Sequence, residues 1–115
     1  MSKRIPERIY VEWNATFRPR GATTKPASTI DISKSGVLFS SESRLRVGEL
    51  VQMDVITSPN SFFRSMARVE RFAYRNGRRS VYGARFVDMT SVDREILNLG
   101  IRKTKPAVVA GVQLA

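Results

Sequence analysis

Two short groups of residues carry the side chains best suited to binding chemistry. The first comprises Asp31, Ser33 and Gly36, in the stretch Asp-Ile-Ser-Lys-Ser-Gly. Residues two apart on a β-strand project from the same face, so a carboxylate and a hydroxyl are expected side by side on an outer surface, with Ile30 and Ile32 in the core. Gly36 would permit a positive φ or the close approach of a ligand. An ordinary turn is the alternative, since all three residue types form turns.

The second group is a pair of arginines, Arg4 and Arg8, which precede the first predicted strand in Arg-Ile-Pro-Glu-Arg. Pro6 between them disfavours a long helix. Residues 1–8 are therefore predicted to be a flexible basic lead-in that presents two long guanidinium side chains. The alternative is a solvated basic tail without a binding role.

The charge of the chain points to an anionic partner. Its 115 residues include 20 Lys and Arg against 10 Asp and Glu, a formal net charge of +10. Such an excess suits a nucleotide, a nucleic acid or an anionic membrane. Fifteen of the 20 basic residues are arginine, whose planar fork matches phosphates and guanine edges. A GC-rich genome would equally favour arginine over lysine.

The residue types that are missing argue against catalysis. The sequence has no cysteine and no histidine, which excludes disulfides, thiolate chemistry, histidine-based catalysis and thiolate or imidazole metal sites. Its carboxylates are scattered. We therefore expect neither an enzyme, nor a metal site, nor a cofactor.

Hydropathy gives an expectation for the compartment. No apolar run approaches the roughly 18 residues of a membrane span, and the polar stretch at residues 1–8 does not resemble a signal peptide. A cytoplasmic protein is expected.

Alternating hydropathy predicts short antiparallel strands followed by one helix. In the first strand, Val11, Trp13, Ala15 and Phe17 share a face. The longest strand slips in phase between its core candidates Met66 and Val69, with Phe72 as a third, so a β-bulge is expected there. Asn76-Gly77 is the strongest hairpin signal. The predicted strands are 9–17, 28–33, 37–41, 50–56, 62–74 and 81–87.

The C-terminal part changes to a helical pattern. Thr90 or Ser91 can cap a helix whose buried residues are predicted to be Val92, Ile96 and Leu99. Pro106 is expected to end this helix, leaving residues 106–115 as an apolar tail. Short strands at this spacing suggest a small sandwich or barrel, with residues 9–105 forming the domain and the helix lying across an open end.

Taken together, the motifs resemble the PilZ domain family. The Arg-x-x-x-Arg lead-in, the first strand, the Asp-x-Ser-x-x-Gly motif, Gly48, and the late strand Tyr-Gly-Ala-Arg-Phe with Gly83 and Phe86 occur in the family's order. The resemblance covers nearly the whole chain, from about residue 4 to residue 103. It implies an all-β fold with one C-terminal helix, a six-stranded antiparallel β-barrel.

The resemblance also implies a ligand. Members of this family are typically receptors for the bacterial second messenger cyclic di-GMP and act in motility or biofilm regulation. Arg4 and Arg8 match the two arginines of the first family motif, and the Asp31 group matches the second. Lys3 matches an extra basic residue that accompanies binding of a stacked ligand dimer. Pro6 departs from the commoner filler of the first motif and is expected to restrict how the lead-in wraps around the ligand.

Two other functions remain open from the sequence. One is a ligand-independent, PilZ-like adaptor that acts on another protein. The other is a general nucleic-acid binder, in which arginines of the long predicted hairpin form a basic stripe, although DNA is not the expected partner. The stripe residues are Arg64, Arg68, Arg71, Arg75, Arg78 and Arg79.

Overall fold

The structure is a computed structural model that describes the backbone of residues 8–114 and the side chains of residues 8–104. Lys3, Arg4 and the rest of the predicted lead-in up to residue 7 lie outside the described residues, as do the side chains of the predicted tail. The elements are β1 (Ile9–Tyr10), β2 (Asn14–Pro19), β3 (Lys25–Ile32), β4 (Gly36–Ser41), β5 (Leu50–Ser58), β6 (Ser61–Asn76), β7 (Arg79–Asp88) and α1 (Ser91–Leu114).

Six antiparallel strands close into a barrel, as predicted. The strand order is β3-β2-β5-β6-β7-β4, and β4 pairs again with β3 to complete the ring. Closure gives every barrel strand two neighbours, which limits the exposed edges through which short strands aggregate. The centre is filled by buried side chains from all six strands, among them Phe17, Ile32, Phe39, Met53, Phe63, Val69 and Tyr82.

The predicted first strand is divided into β1 and β2 because the chain leaves the ladder at Val11–Trp13. The buried Thr29 of β3 bridges the gap: its hydroxyl donates to the carbonyl of Val11 at 2.6 Å and accepts from the amide of Trp13 at 2.8 Å. The pairing of β3 with β4 shifts register between Thr29 and Asp31. Thr29 therefore points inward, and the prediction that Ile30 lies in the core is wrong.

The predicted bulge in the longest strand is present, because the pairing of β6 with β7 shifts register between Met66 and Ala67 and twice more beyond it. The buried face of β6 nevertheless alternates without a break, through Phe63, Ser65, Ala67 and Val69. Of the predicted core residues, Val69 is confirmed. Met66 is half-buried and Phe72 is exposed.

The hairpin turn lies where Asn76-Gly77 predicted it, shifted by one residue. Asn76 pairs with Arg79, so Gly77 and Arg78 are the two central residues. Gly77 has a φ of 64°, and among the described residues no residue other than glycine has a positive φ. One positive φ at the first central position is typical of a type II′ turn, which matches the twist of the flanking strands.

Helix α1 begins as predicted, with Thr90 as its cap. The Thr90 hydroxyl accepts from the amide of Asp93 at 3.1 Å and donates to its carboxylate at 2.7 Å. The other carboxylate oxygen of Asp93 accepts from the backbone amide of Arg64 at 3.0 Å. The first turn of the helix is thereby fastened to β6.

The buried face of α1 differs from the prediction. Leu97 and Ile101 are buried and Ile96 is half-buried, whereas Val92 and Leu99 are 69% and 44% exposed. Gly100 explains the rotation, because a Cβ at this position would lie 3.1 Å from the ring of Trp13. The helix therefore presents its glycine, with the residues beside it, to the barrel.

The helix also continues past Pro106 to Leu114, so the prediction that it ends at this proline is wrong. A proline inside a helix removes one hydrogen bond and bends the axis, and the turns on both sides can remain helical. No helix within the described part of the chain is both long and apolar enough to cross a membrane.

Candidate functional site

The turn between β3 and β4 is built around the hydroxyl of Ser33. Its Oγ accepts hydrogen bonds from the backbone amides of Ser35 and Gly36, each at 3.2 Å, and its own amide donates to the carbonyl of Gly36 at 2.9 Å. Ser33 is fully buried beneath this turn. The expectation of a hydroxyl on the outer surface is therefore wrong, because the chain folds back over Ser33 immediately after the strand.

Gly36 is required by close packing of two strands. A Cβ at this position would lie 2.6 Å from the carbonyl oxygen of Ala84 in β7. Gly36 does not have the positive φ that was one of the two expectations, and the group that approaches it closely is the backbone of β7; the expected approach of a ligand stays a prediction. Ser35 bonds to the same strand: its carbonyl accepts a hydrogen bond from the amide of Phe86 at 2.9 Å.

Arg8 and Asp31 form an ion pair at the end of β3. The distance from Arg8 Nε to Asp31 Oδ1 is 2.7 Å. The Arg8 side chain is 45% exposed, whereas that of Asp31 is 12% exposed. The structure thus brings together one arginine of the first motif and the acid of the second.

The pairing registers place Asp31 in a row of residues that crosses five strands. Tyr10 pairs with Asp31, Asp31 with Leu38, Leu38 with Gly83, and Gly83 with Arg71. Directly opposed residues project from the same face of a sheet. The row therefore runs from the Arg8–Asp31 pair across the outside of the barrel to Arg71.

Gly83 leaves a gap in this row, and the side chain of Arg71 lies over it. A Cβ on Gly83 would come within 3.3 Å of both Cγ and Nε of Arg71. Arg71 is exposed and makes no side-chain hydrogen bond or ion pair within residues 8–104. Its guanidinium is therefore free to bind a ligand over the flat surface that Gly83 provides.

A polar cleft of about 240 Å³ occupies this face of the barrel. Arg8, Arg71 and Arg85 contribute positive charge, and Glu70 offsets part of it through an exposed ion pair with Arg85 at 3.0 Å. The cleft residues are Arg8, Ser35, Gly36, Val37, Leu38, Glu70, Arg71, Gly83, Ala84 and Arg85. The excess of positive charge in the cleft favours an anionic ligand. Among the side chains that the structure describes, no cluster of acidic residues could hold a metal ion.

Comparison with known families identifies the fold. The family model described as PilZ domain matches residues 2–102 of the chain. The chain belongs to the PilZ domain family.

Solved PilZ structures share this architecture at low sequence identity. YcgR of Escherichia coli in complex with c-di-GMP superposes with a TM-score of 0.76 at 16% identity, covering 98% of this chain and 51% of that one. The separate PilZ domain of YcgR with c-di-GMP has a TM-score of 0.65 at 17% identity, over 92% and 98% of the two chains. The inhibitor of motility MotI/DgrA of Bacillus subtilis has a TM-score of 0.73 at 14% identity, over 92% and 53%.

This PilZ domain spans about half the length of the first solved structures that it matches. No curated protein matches the sequence. At these identities, the comparison shows that this chain and the solved structures share a fold.

In this PilZ domain, the motif turn is also tied to the helix. Nη1 of Arg94, in the first turn of α1, donates to the carbonyl of Lys34 at 3.1 Å. The same turn also bonds to β7 through Ser35. A displacement of the turn would therefore change its hydrogen bonds to both α1 and β7.

The sequence motifs missed part of the cleft. Arg71 and Arg85 are two of many arginines in the sequence, and their spacing alone does not separate them from the others. Gly83 was noted as a family feature, and a glycine inside a strand often marks a site that a ligand or another backbone approaches closely. The residue that pairs with this glycine on the neighbouring strand, Arg71, is the one that this signal could have identified.

Proposed function

We propose that this PilZ domain is a receptor for cyclic di-GMP that binds the messenger in the cleft between the Arg8–Asp31 pair and Arg71. The observation that carries the proposal is the row from Asp31 to Arg71, which sets a carboxylate and arginines around an open, flat surface. Solved relatives such as YcgR contain c-di-GMP, which supports the choice of ligand.

The chemistry of guanine fits these groups. Guanine presents O6 and N7 as two acceptors on one edge, which an arginine fork can bind at once. Its other edge presents N–H donors, and a carboxylate accepts them. Oδ2 of Asp31 accepts no hydrogen bond from residues 8–104, so it can take this role while Oδ1 stays paired with Arg8. Adenine has an acceptor at the corresponding edge and would be repelled.

The remaining motif residues are assigned different roles. Ser33 holds the turn in shape through its two amide contacts, and Gly36 sets the spacing to β7. Arg4 contributes a second arginine from the N-terminal segment, which closes over the bound messenger together with Arg8. Lys3 supports a second, stacked ligand molecule.

Binding would be relayed through the N-terminal segment that carries Arg8 and through the β3–β4 turn, which borders the cleft. Ordering of residues 1–8 over the ligand would create or hide a surface for a partner protein. The bond from Arg94 to Lys34 gives the helix a direct connection to the same turn. We expect amide exchange to slow at residues 1–8 and at the start of α1 when the ligand binds, as measured by hydrogen–deuterium exchange.

The direct test is calorimetric titration of the full chain with cyclic di-GMP, with cyclic di-AMP and GTP as controls. Saturable binding of the first compound alone supports the proposal, and the molar ratio distinguishes one bound molecule from a stacked pair. Equal binding of both cyclic dinucleotides would contradict the guanine contacts. The absence of binding would favour the ligand-independent adaptor.

A further inference from the structure

A β-bulge places an acidic side chain in the cleft. The pairing of β6 with β7 passes from Val69, opposite Ala84, to Arg71, opposite Gly83, so Glu70 has no partner on β7. A bulge residue of this kind is left out of the ladder and bends its strand. Among the described residues that line the cleft, Glu70 is the single acidic one, and it is exposed.

Two arginines are directly opposed next to this bulge. Arg68 of β6 pairs with Arg85 of β7, and both are exposed. Directly opposed side chains project from the same face of a sheet, and like charges at such positions are destabilising. Nη1 of Arg68 donates to the carbonyl of Gly48 at 2.9 Å, so this guanidinium lies at the loop between β4 and β5. Arg85 lines the cleft, where Glu70 is its partner.

The ion pair between Arg85 and Glu70 is of a kind that a ligand can displace. Nε of Arg85 lies 3.0 Å from Oε2 of Glu70, and the two side chains are 58% and 51% exposed. Exposed ion pairs are weak, because water screens both charges and two long side chains must be held in one geometry. A phosphate carries the same sign of charge and can bind an arginine through two parallel hydrogen bonds. Arg85 makes no other ion pair within residues 8–104.

We propose that Glu70 is an internal competitor for the anion position at Arg85. In the free protein the carboxylate of Glu70 occupies the guanidinium of Arg85. A phosphate of the bound ligand takes its place, and Glu70 separates from Arg85. This role rests on the proposed function, because cyclic di-GMP supplies the phosphate, and it adds the contact inside the cleft that must open when the messenger binds.

The exchange would set the affinity of the receptor below the value that its arginines alone would give. The ligand replaces one ion pair before it gains another, and the released carboxylate remains near the phosphate, which it repels. A ligand without a negative charge at this position would leave the pair between Glu70 and Arg85 in place. Glu70 would thereby raise the messenger concentration at which the domain responds and favour anionic ligands over neutral ones.

The first test compares the cyclic di-GMP affinities of the full-chain parent, Glu70→Gln, Arg85→Gln and the double variant by calorimetry. Glu70→Gln should raise the affinity about two- to fivefold, which corresponds to one exposed ion pair. Arg85→Gln should lower it about tenfold, because a charged hydrogen bond to the phosphate is lost. In the double variant, the gain from Glu70→Gln should largely disappear, because no guanidinium remains to be released. Glu42→Gln, which changes an exposed acid outside the cleft, is the control for net charge and should leave the affinity unchanged.

Three results of this comparison would overturn the proposal. A lower affinity in Glu70→Gln would show that Glu70 contacts the ligand directly. An equal gain in the presence and absence of the Arg85 guanidinium would show that the charge of Glu70 acts on the ligand without the ion pair. An unchanged affinity in Glu70→Gln would show that the ion pair does not compete with the ligand.

A second measurement follows Arg85 without the messenger. The Nε–H signal of Arg85, observed by NMR in isotope-labelled protein and assigned from its loss in Arg85→Gln, should shift during titration with inorganic pyrophosphate. The midpoint of this shift should lie at a lower pyrophosphate concentration in Glu70→Gln than in the parent, and equal midpoints would overturn the competition. If the parent does not bind cyclic di-GMP while these midpoints differ, the proposed function fails and the competition at Arg85 is supported.

Discussion

Arg8 and Asp31 lie 23 residues apart in the chain and are joined by a hydrogen bond of 2.7 Å. The pair links the segment before the barrel to the end of β3, next to the cleft. Asp31 is nearly buried and Arg8 is half exposed, so the carboxylate fixes a guanidinium at the cleft without removing it from solvent. The messenger would meet an arginine that is already positioned.

Replacing Arg8 tests this arrangement. We expect Arg8→Ala to lower the affinity for cyclic di-GMP at least about tenfold, because a hydrogen bond to a charged group contributes about 1.5–3 kcal/mol. The melting temperature should hardly change, since a partly exposed ion pair contributes about 0–1 kcal/mol to stability. Asp31→Asn, which keeps the size of the side chain, should show the same loss in calorimetry. An unchanged affinity in both variants would refute the site.

Arg71 provides a second test. We expect Arg71→Ala to lower the affinity about tenfold, because a two-pronged contact with guanine is worth about 1–3 kcal/mol. Arg75→Ala is the matched control: this arginine is exposed on the same strand, outside the cleft. Similar affinities for the two variants would show that Arg71 does not contact the ligand.

Ser33 separates a structural role from direct binding. Ser33→Ala leaves the amides of Ser35 and Gly36 without their acceptor, which should lower the free energy of unfolding by about 1–3 kcal/mol. The affinity should fall as well, because the turn loses its shape. Denaturant unfolding and titration would measure both. A loss of affinity with unchanged stability would instead assign Ser33 to direct contact with the ligand.

Gly36 tests the packing of β4 against β7. Gly36→Ala places a methyl group 2.6 Å from the carbonyl oxygen of Ala84, and forced overpacking costs about 1–3 kcal/mol. Ser35→Ala, at the neighbouring exposed position, should cost much less. Equal midpoints of chemical denaturation for Gly36→Ala and the parent would mean that the two strands separate easily.

The orientation of the helix is tested by two leucines. Leu97 is fully buried and Leu99 is 44% exposed. Leu97→Ala should therefore destabilise the protein by about 2–5 kcal/mol, and Leu99→Ala by much less. The melting temperatures of the two variants measure the difference. A larger loss in Leu99→Ala than in Leu97→Ala would instead support the arrangement that the sequence pattern predicted, in which Leu99 is buried.

The sequence by itself determined a run of short strands followed by one helix, a helix cap at Thr90 or Ser91, the hairpin at Asn76-Gly77 and the two motifs. Each of these depends on neighbouring residues: alternation of side chains, a hydroxyl at a helix start, or a glycine in a turn. The family resemblance rested on the same local patterns, and the match over residues 2–102 agrees with it.

The tertiary structure decided which residues share a surface. A register shift turned Thr29 inward in place of Ile30, and Gly100 rotated the helix onto Leu97 and Ile101 because that face packs most closely against Trp13. The cleft with Arg71 likewise became visible once the strands were paired. Its residues are far apart in the chain, and strand register and packing, which local patterns do not encode, bring them together.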